Sequence, residues 1–156
     1  MKINKKLLIT CIAIPVFVGI LAAVISGGGM RTFAEIDKPP LSPPAWLFPV
    51  VWTILYILMG VSSYLIIQSD AKESKKEEAL RVYAYQLLVN FLWPTFFFNF
   101  QWYFFSLLWL ILLWVLVLCM IVKFAGISKI VALINVPYLI WLTFAAYLNF
   151  GIWLMN

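Results

Sequence analysis

The stretch that decides the fold is residues 45–67, which read AWLFPVVWTILYILMGVSSYLII and contain no Lys, Arg, Asp or Glu. A helix of this length crosses the roughly 30 Å hydrocarbon core of a bilayer, which takes about 20 residues. In lipid the backbone must satisfy its hydrogen bonds internally, and a run without strict alternation favours a helix over a barrel strand. The stretch therefore predicts a transmembrane helix.

Four further stretches have the same uncharged, apolar character. Together the five cover residues 7–25, 45–67, 82–98, 102–122 and 130–155. Hydrophobic residues are 65% of the chain and charged residues 11%, so polar groups are too few to cover a soluble fold. The mean hydropathy of +1.03 agrees. We expect an all-α membrane protein, a five-transmembrane-helix bundle that forms a single domain over residues 1–156.

The first stretch has an alternative reading as a signal peptide, because Lys2, Lys5 and Lys6 precede it. Its apolar part is longer than the usual 7–15 residues, and no small-x-small cleavage site ends it. We therefore expect a retained helix.

Basic residues are divided unequally between the two ends of such a bundle. One end carries nine of the eleven, namely Lys2, Lys5, Lys6, Lys72, Lys75, Lys76, Arg81, Lys123 and Lys129. The other end carries Arg31 and Lys38. The excess of basic residues at the first end predicts a cytoplasmic N-terminus and an external C-terminus. The charges form short clusters rather than a basic stripe, so we expect no nucleic-acid partner, and residues 69–78 are expected to be a solvated link.

The connection at residues 26–44 differs from the others in composition. Three glycines, Gly27, Gly28 and Gly29, begin it, and four prolines, Pro39, Pro40, Pro43 and Pro44, end it. A flexible start and a stiff end suit a hinged loop that covers and gates a pocket. The alternative is a simple surface crossing.

Several kinds of chemistry lack the residues they need. The chain has no histidine, and Cys11 and Cys119 lie apart in separate apolar stretches, so we expect no metal site and no disulfide framework. No apolar stretch contains an ionisable carboxylate, lysine or arginine, which argues against ion-coupled pumping and acid–base catalysis.

Aromatic and amide side chains remain as candidates for function. Trp52, Trp93 and Trp141 lie deep within the stretches, as do Asn90 and Asn149. An amide in lipid needs a partner, which is either another helix or a ligand. Both readings stay open.

Helical spacing groups these residues on faces. Trp141, Ala145 and Asn149 recur every fourth residue, and a second set, Pro49, Trp52 and Tyr56, shares a face of its own helix. Pro94 and Pro137 have no backbone N–H to donate to the carbonyl four residues earlier. The missing hydrogen bond loosens each helix. These features favour a pocket for a flat aromatic ligand, the alternative being tight aromatic packing.

Three segments resemble signatures of one known family. They are residues 43–60 (PPAWLFPVVWTILYILMG), 86–94 (QLLVNFLWP) and 137–149 (PYLIWLTFAAYLN). In order and position they are similar to the translocator protein family, also called TspO or the peripheral benzodiazepine receptor. The short tail and the absence of a targeting extension resemble bacterial members of the family, so we expect the chain to lie in a bacterial cell membrane.

The resemblance implies a homodimeric five-helix bundle with a cavity under the first loop, and no cofactor. It implies binding of protoporphyrin IX, as ligand or substrate, and of benzodiazepine-type or isoquinoline carboxamide ligands. By motif position the cavity residues are Ala22, Phe48, Pro49, Trp52, Asn90, Trp141, Ala145 and Leu148. For bacterial members it implies light- and oxygen-dependent porphyrin breakdown, for which Trp52 and Trp141 are the expected catalytic pair. A porphyrin transporter or a stress sensor without catalysis is the alternative.

One family pattern is missing. Animal members carry a basic residue after the tyrosine of the last helix as part of a cholesterol-recognition pattern. Residues 147–156 contain no Lys or Arg, so cholesterol is not expected as a ligand.

The predicted topology can be tested by labelling cysteines introduced at each terminus, in a background without Cys11 and Cys119. In intact cells an impermeant maleimide should modify the C-terminal cysteine and not the N-terminal one. The opposite pattern would show that the basic-residue count does not set the orientation.

Overall fold

The computed structural model describes residues 3–27 and 29–156, so Lys2 of the basic-residue count and Gly28 of the triple glycine lie outside it. Within the described residues the regular structure is helical throughout. The α-helices are α1 (Lys5–Ile25), α2 (Gly29–Glu35), α3 (Leu47–Ile67), α4 (Glu73–Pro94), α5 (Tyr103–Ala125), α6 (Lys129–Ile134) and α7 (Val136–Met155). A π-helical turn, Thr95–Asn99, follows α4 directly.

Four helical segments in the described part of the chain are long and apolar enough to span a membrane. They are α1, α3, α5 and the combined segment Lys129–Met155 that contains α6 and α7. The apolar stretch predicted at 82–98 is divided, because α4 begins in charged sequence at Glu73 and ends at Pro94. The all-α membrane class is thus confirmed, and the count of five apolar spans is not.

The link predicted at residues 69–78 is shorter than expected. The first turns of α4 occupy its second half, starting at Glu73. Lys76 forms an ion pair with Glu73 one turn earlier, with Nζ 3.4 Å from the carboxylate, which supports a helix start. Charged residues with good helix propensity therefore extend the helix beyond the apolar stretch.

The turn after α4 follows from the missing N–H of Pro94. Beyond this residue the helix widens, and the Phe100 N–H donates to the Thr95 carbonyl five residues earlier, at 3.2 Å. The Trp109 indole N–H donates to the Val89 carbonyl at 2.8 Å, which ties α5 to the end of α4.

The stretch predicted as one helix at 130–155 is two helices that meet at Asn135. Pro137 cannot donate to the Leu133 carbonyl, and the Asn135 N–H turns to the Ala132 carbonyl instead, at 3.0 Å. The Asn135 side chain donates to the Val131 carbonyl at 2.9 Å and to the Ser62 Oγ at 2.8 Å. Its amide thereby replaces a backbone bond lost at the break.

The long helices form a closed ring. In this ring α1 contacts α3 and α4, α4 contacts α5, α5 contacts α6 and α7, and α6 contacts α3. Helices α1 and α3 approach closely at Gly60 of α3, where a Cβ atom would lie 2.6 Å from the Cys11 carbonyl oxygen of α1. Small residues allow such backbone contact between helices in lipid.

Polar contacts identify the two ends of the ring. At one end Asn99 donates to the Ile25 carbonyl at 2.9 Å. At the other end the Asn4 N–H donates to the Tyr64 hydroxyl at 3.1 Å, and Lys123 pairs with Glu78. The hydrogen bond from Lys123 lowers the pKa of the Glu78 carboxyl. Most of the described basic residues therefore lie at the end that carries Asn4.

Gly60→Ala should destabilise the protein by about 1–3 kcal/mol, because the new methyl group meets the backbone of α1 rather than a movable side chain. Gly126→Ala is the matched control, since its Cβ would lie 3.4 Å from the nearest atom. Thermal unfolding of the purified protein in detergent measures both. Equal shifts in Tm for the two variants would contradict the close contact of α1 with α3.

Candidate ligand-binding cavity

A cavity of about 460 Å³ lies between α1, α3 and α4, beneath α2. On α1 its wall includes four small residues, Gly19, Ala22, Ala23 and Ser26, beside Val16 and Ile20. A Cβ at Gly19 would lie 2.6 Å from a carbon of the Tyr56 ring, so glycine makes room for that ring. Backbone and small side chains thus leave space that larger residues on α1 would fill.

Aromatic rings supply the other walls. Phe48, Trp52 and Tyr56 line the cavity from α3, and Trp93 lines it from α4. The Trp52 ring stacks on Tyr56 with centroids 5.7 Å apart. Above them Phe33 of α2 is buried and meets the Phe48 ring edge-on at 4.8 Å. Stacked and edge-on pairs of this kind fix the rings against one another.

The floor of the cavity is a chain of hydrogen bonds centred on Asn90. The Tyr56 hydroxyl donates to the Asn90 Oδ1 at 2.8 Å, and the Asn90 Nδ2 donates to the Tyr138 hydroxyl at 2.6 Å. Tyr138 in turn donates to the Gln86 Oε1 at 2.9 Å. All four side chains are buried, and they join α3, α4 and α7. The network gives the apolar cavity a polar floor fixed by three helices.

Comparison with known proteins agrees with this architecture. Residues 11–154 match the model of the TspO/MBR family. The chain belongs to the TspO/MBR family. The resemblance seen in the three sequence segments is thereby confirmed.

Curated relatives in bacteria and animals cover nearly the same length as this TspO/MBR chain. It is 35% identical to the tryptophan-rich protein TspO of Chlorobaculum tepidum, over 98% of the chain and 99% of the relative. It is 36% identical to protein CrtK of Rhodobacter capsulatus, over 88% and 85%. It is 36% identical to the translocator protein of Ovis aries, over 85% and 79%.

Five of the eight residues expected at the site lie on the cavity wall of this TspO/MBR member. They are Ala22, Phe48, Pro49, Trp52 and Asn90. The three expected from α7 lie elsewhere. Ala145 and Leu148 are buried in the bundle, and Trp141 lies behind Phe48, with the two ring centroids 5.7 Å apart.

The two expected catalytic tryptophans therefore do not face each other across the cavity. Trp52 forms part of the wall, whereas the indole N–H of Trp141 is buried without a partner among the described residues. A ligand in the cavity would contact Trp52 directly and would reach Trp141 only through Phe48. The structure brings Trp52 together with Tyr56 and Asn90, and not with Trp141.

The two amides singled out in the sequence have different roles. Asn149 accepts from the Trp93 indole at 3.3 Å and from the Ser106 hydroxyl at 3.1 Å, and it donates to the Tyr103 carbonyl at 2.8 Å. It connects α7 to α4 and α5. Asn90 also connects helices, but it lines the cavity as well.

Sequence reasoning missed several residues of the site. Gln86 precedes Asn90 by one helical turn, a spacing that could have placed both amides on one face. Asn135 stands two residues before a helix-breaking proline, which is a comparable signal. Phe33 carries no such signal, because the connection around it shows no helical periodicity that would predict α2.

Asn90→Leu should destabilise the protein by about 1–3 kcal/mol, because the buried Tyr56 hydroxyl loses its acceptor. Combining it with Tyr56→Phe removes that unpaired donor. The double variant should therefore lose less stability than the two single variants lose in total.

The matched control is Tyr85→Phe, which removes a hydroxyl from an exposed tyrosine of the same helix as Asn90. Its effect should add to that of Asn90→Leu. Thermal unfolding of the three single variants, the two double variants and the wild type measures these effects. Additivity for both tyrosines would show that the Tyr56–Asn90 bond contributes nothing to stability.

Proposed function

We propose that this TspO/MBR protein spans a bacterial membrane five times and binds protoporphyrin IX in the cavity described above. Benzodiazepine-type and isoquinoline carboxamide ligands would occupy the same space. The fifth span is α4 together with the π-helical turn, whose Asn99 reaches the end of α1. The observation that carries the proposal is an aromatic cavity with a polar floor, whose volume is within the roughly 300–1,000 Å³ usual for ligand pockets.

The chemistry of the walls suits a flat macrocycle. Its faces would pack on Trp52, Phe48 and Trp93, and Asn90 would offer a hydrogen bond from the floor. Metal-free porphyrin suits the chain better than haem, because the sequence has no histidine to ligate iron.

The carboxylates of a porphyrin would have to lie at the mouth. The described cavity wall has no basic side chain, and burying an unpaired carboxylate is costly. Ser26, at the end of α1, lines the upper part of the cavity, near the start of α2. The bound macrocycle would therefore lie with its apolar edge toward Tyr56 and Asn90.

We propose that illumination of the bound porphyrin leads to its oxygen-dependent breakdown, with Trp52 as an oxidisable side chain of the cavity wall. Excited porphyrin transfers energy to dioxygen or takes an electron from an indole, so the protein supplies position while the ligand supplies reactivity. Trp141 would take part indirectly, through its ring contact with Phe48.

Two other functions are supported only by the names of relatives. The name of the translocator protein of Ovis aries suggests movement of a ligand. The name of the tryptophan-rich sensory protein of Cereibacter sphaeroides, 33% identical over 80% of this chain, suggests sensing. The absence of charged side chains from the described part of the cavity wall counts against ion-coupled transport. A homodimer with a cytoplasmic N-terminus is proposed from the family and the basic-residue count.

Trp52→Phe should weaken protoporphyrin IX binding by about tenfold or less, because a ring and most apolar area remain. Light-driven loss of the porphyrin absorbance should fall much further, because phenylalanine is harder to oxidise than indole. Trp141→Phe should change binding less than Trp52→Phe, since Trp141 lies outside the cavity wall.

Trp46→Phe is the matched control, because Trp46 is exposed and lies near the start of α3. It should leave both binding and photochemistry unchanged. Each protein is titrated in the dark and then illuminated, and absorbance spectra are compared with a dark sample. Equal proportional losses of binding and photochemistry in Trp52→Phe would show that Trp52 contributes to binding and has no separate photochemical role.

A further inference from the structure

The cavity has a side opening between α1 and α3. Its wall includes two exposed residues of α1, Ile20 and Ala23, and two exposed residues of α3, Pro49 and Thr53. Further along the same pair of helices, Gly60 brings the backbones into contact. The two helices therefore touch near Gly60, and the cavity with its exposed wall residues lies nearer the end of α1 and the start of α3.

The surface of this opening is apolar. The Thr53 hydroxyl donates to the Pro49 carbonyl at 2.7 Å, so its hydrogen-bonding capacity as a donor is used within α3. Ile20, Ala23 and Pro49 present only hydrocarbon from their side chains. An opening of this composition at membrane depth faces acyl chains rather than water.

The end of the cavity beneath the first loop is covered. Phe33 of α2 is buried over it, and the Lys38 Nζ donates to the Phe33 carbonyl at 2.8 Å and to the Ile36 carbonyl at 3.1 Å. These bonds close the end of α2. The segment that covers the cavity is therefore ordered by its own contacts.

The loop is also attached to α7. The Tyr147 hydroxyl donates to the Pro40 carbonyl at 2.7 Å, and Asn156 exchanges two hydrogen bonds with the Asp37 backbone, at 3.2 and 3.0 Å. A Cβ at Gly151 would lie 2.6 Å from Pro39, so the loop packs closely there as well. Lifting the loop would break all of these contacts, whereas the side opening requires none of them to break.

We propose that the cavity exchanges its ligands sideways with the bilayer, through the α1–α3 opening, while the first loop stays closed. The route takes flat, apolar molecules that are dissolved in the membrane. The proposed function identifies that ligand as a porphyrin, but the route itself is set by the exposed wall residues and the attached loop.

The test uses a small apolar aryl diazirine, which dissolves in the bilayer and inserts into nearby side chains when illuminated. In wild-type protein in liposomes, mass spectrometry should find label on Tyr56, which is buried and lines the cavity. Ala23→Phe and Thr53→Phe place a ring in the opening, so labelling of Tyr56 should fall several-fold. The probe needs no porphyrin, so failure of the porphyrin function would not affect the result.

Matched controls add the same ring at the neighbouring exposed positions that do not line the cavity, Val24→Phe and Ile54→Phe. These variants should be labelled like the wild type. Tyr147→Phe, which removes one of the hydrogen bonds between the loop and α7, should also leave the labelling unchanged. The proposal is wrong if Tyr56 is not labelled in the wild type, or if the opening variants label as the wild type does. It is equally wrong if Tyr147→Phe increases labelling while the opening variants have no effect.

Discussion

The arrangement of the bundle depends on Asn90, whose buried amide joins three helices. Lipid offers no hydrophobic drive for apolar helices to associate, so close packing and buried polar pairs must hold them together. Asn90 accepts from Tyr56 of α3 and donates to Tyr138 of α7, while it belongs to α4 itself. Because the two partners belong to two other helices, the amide fixes the rotation of all three helices about their axes. The aromatic residues one or two turns away are then aimed at the same space.

The cavity follows from how α1 packs against this fixed set. Gly60 allows the backbones of α1 and α3 to touch, and Gly19 accepts the Tyr56 ring. Beyond these contacts the small residues of α1 are too short to fill the space opposite Trp52 and Phe48. In a soluble protein an apolar void of this size would be costly. In a membrane it can be filled by molecules from the surrounding lipid phase.

Much of this could be predicted from the sequence, because lipid allows few structures. The uncharged stretches predicted the helices. The spacing of Pro49, Trp52 and Tyr56 predicted a shared face, and these three residues line the cavity. Errors came where local chemistry competes with hydropathy. Charged residues from Glu73 onward extend α4, and Pro94 ends it early. The absence of α7 residues from the described cavity wall could not be predicted from spacing, because it depends on the break at Asn135 and on the position of Phe48 against Trp141.

The described wall of the cavity carries no charge, and this determines how ligand occupancy depends on the transmembrane voltage. A transmembrane voltage acts on charges, at about 2.3 kcal/mol for each elementary charge moved fully across 100 mV. An uncharged wall contributes nothing to that work, so voltage acts on occupancy only through the charges that a ligand brings. Neutral ligands would be held equally by an energised and a de-energised membrane. Anionic ligands would be favoured or disfavoured according to how deep their carboxylates lie in the field.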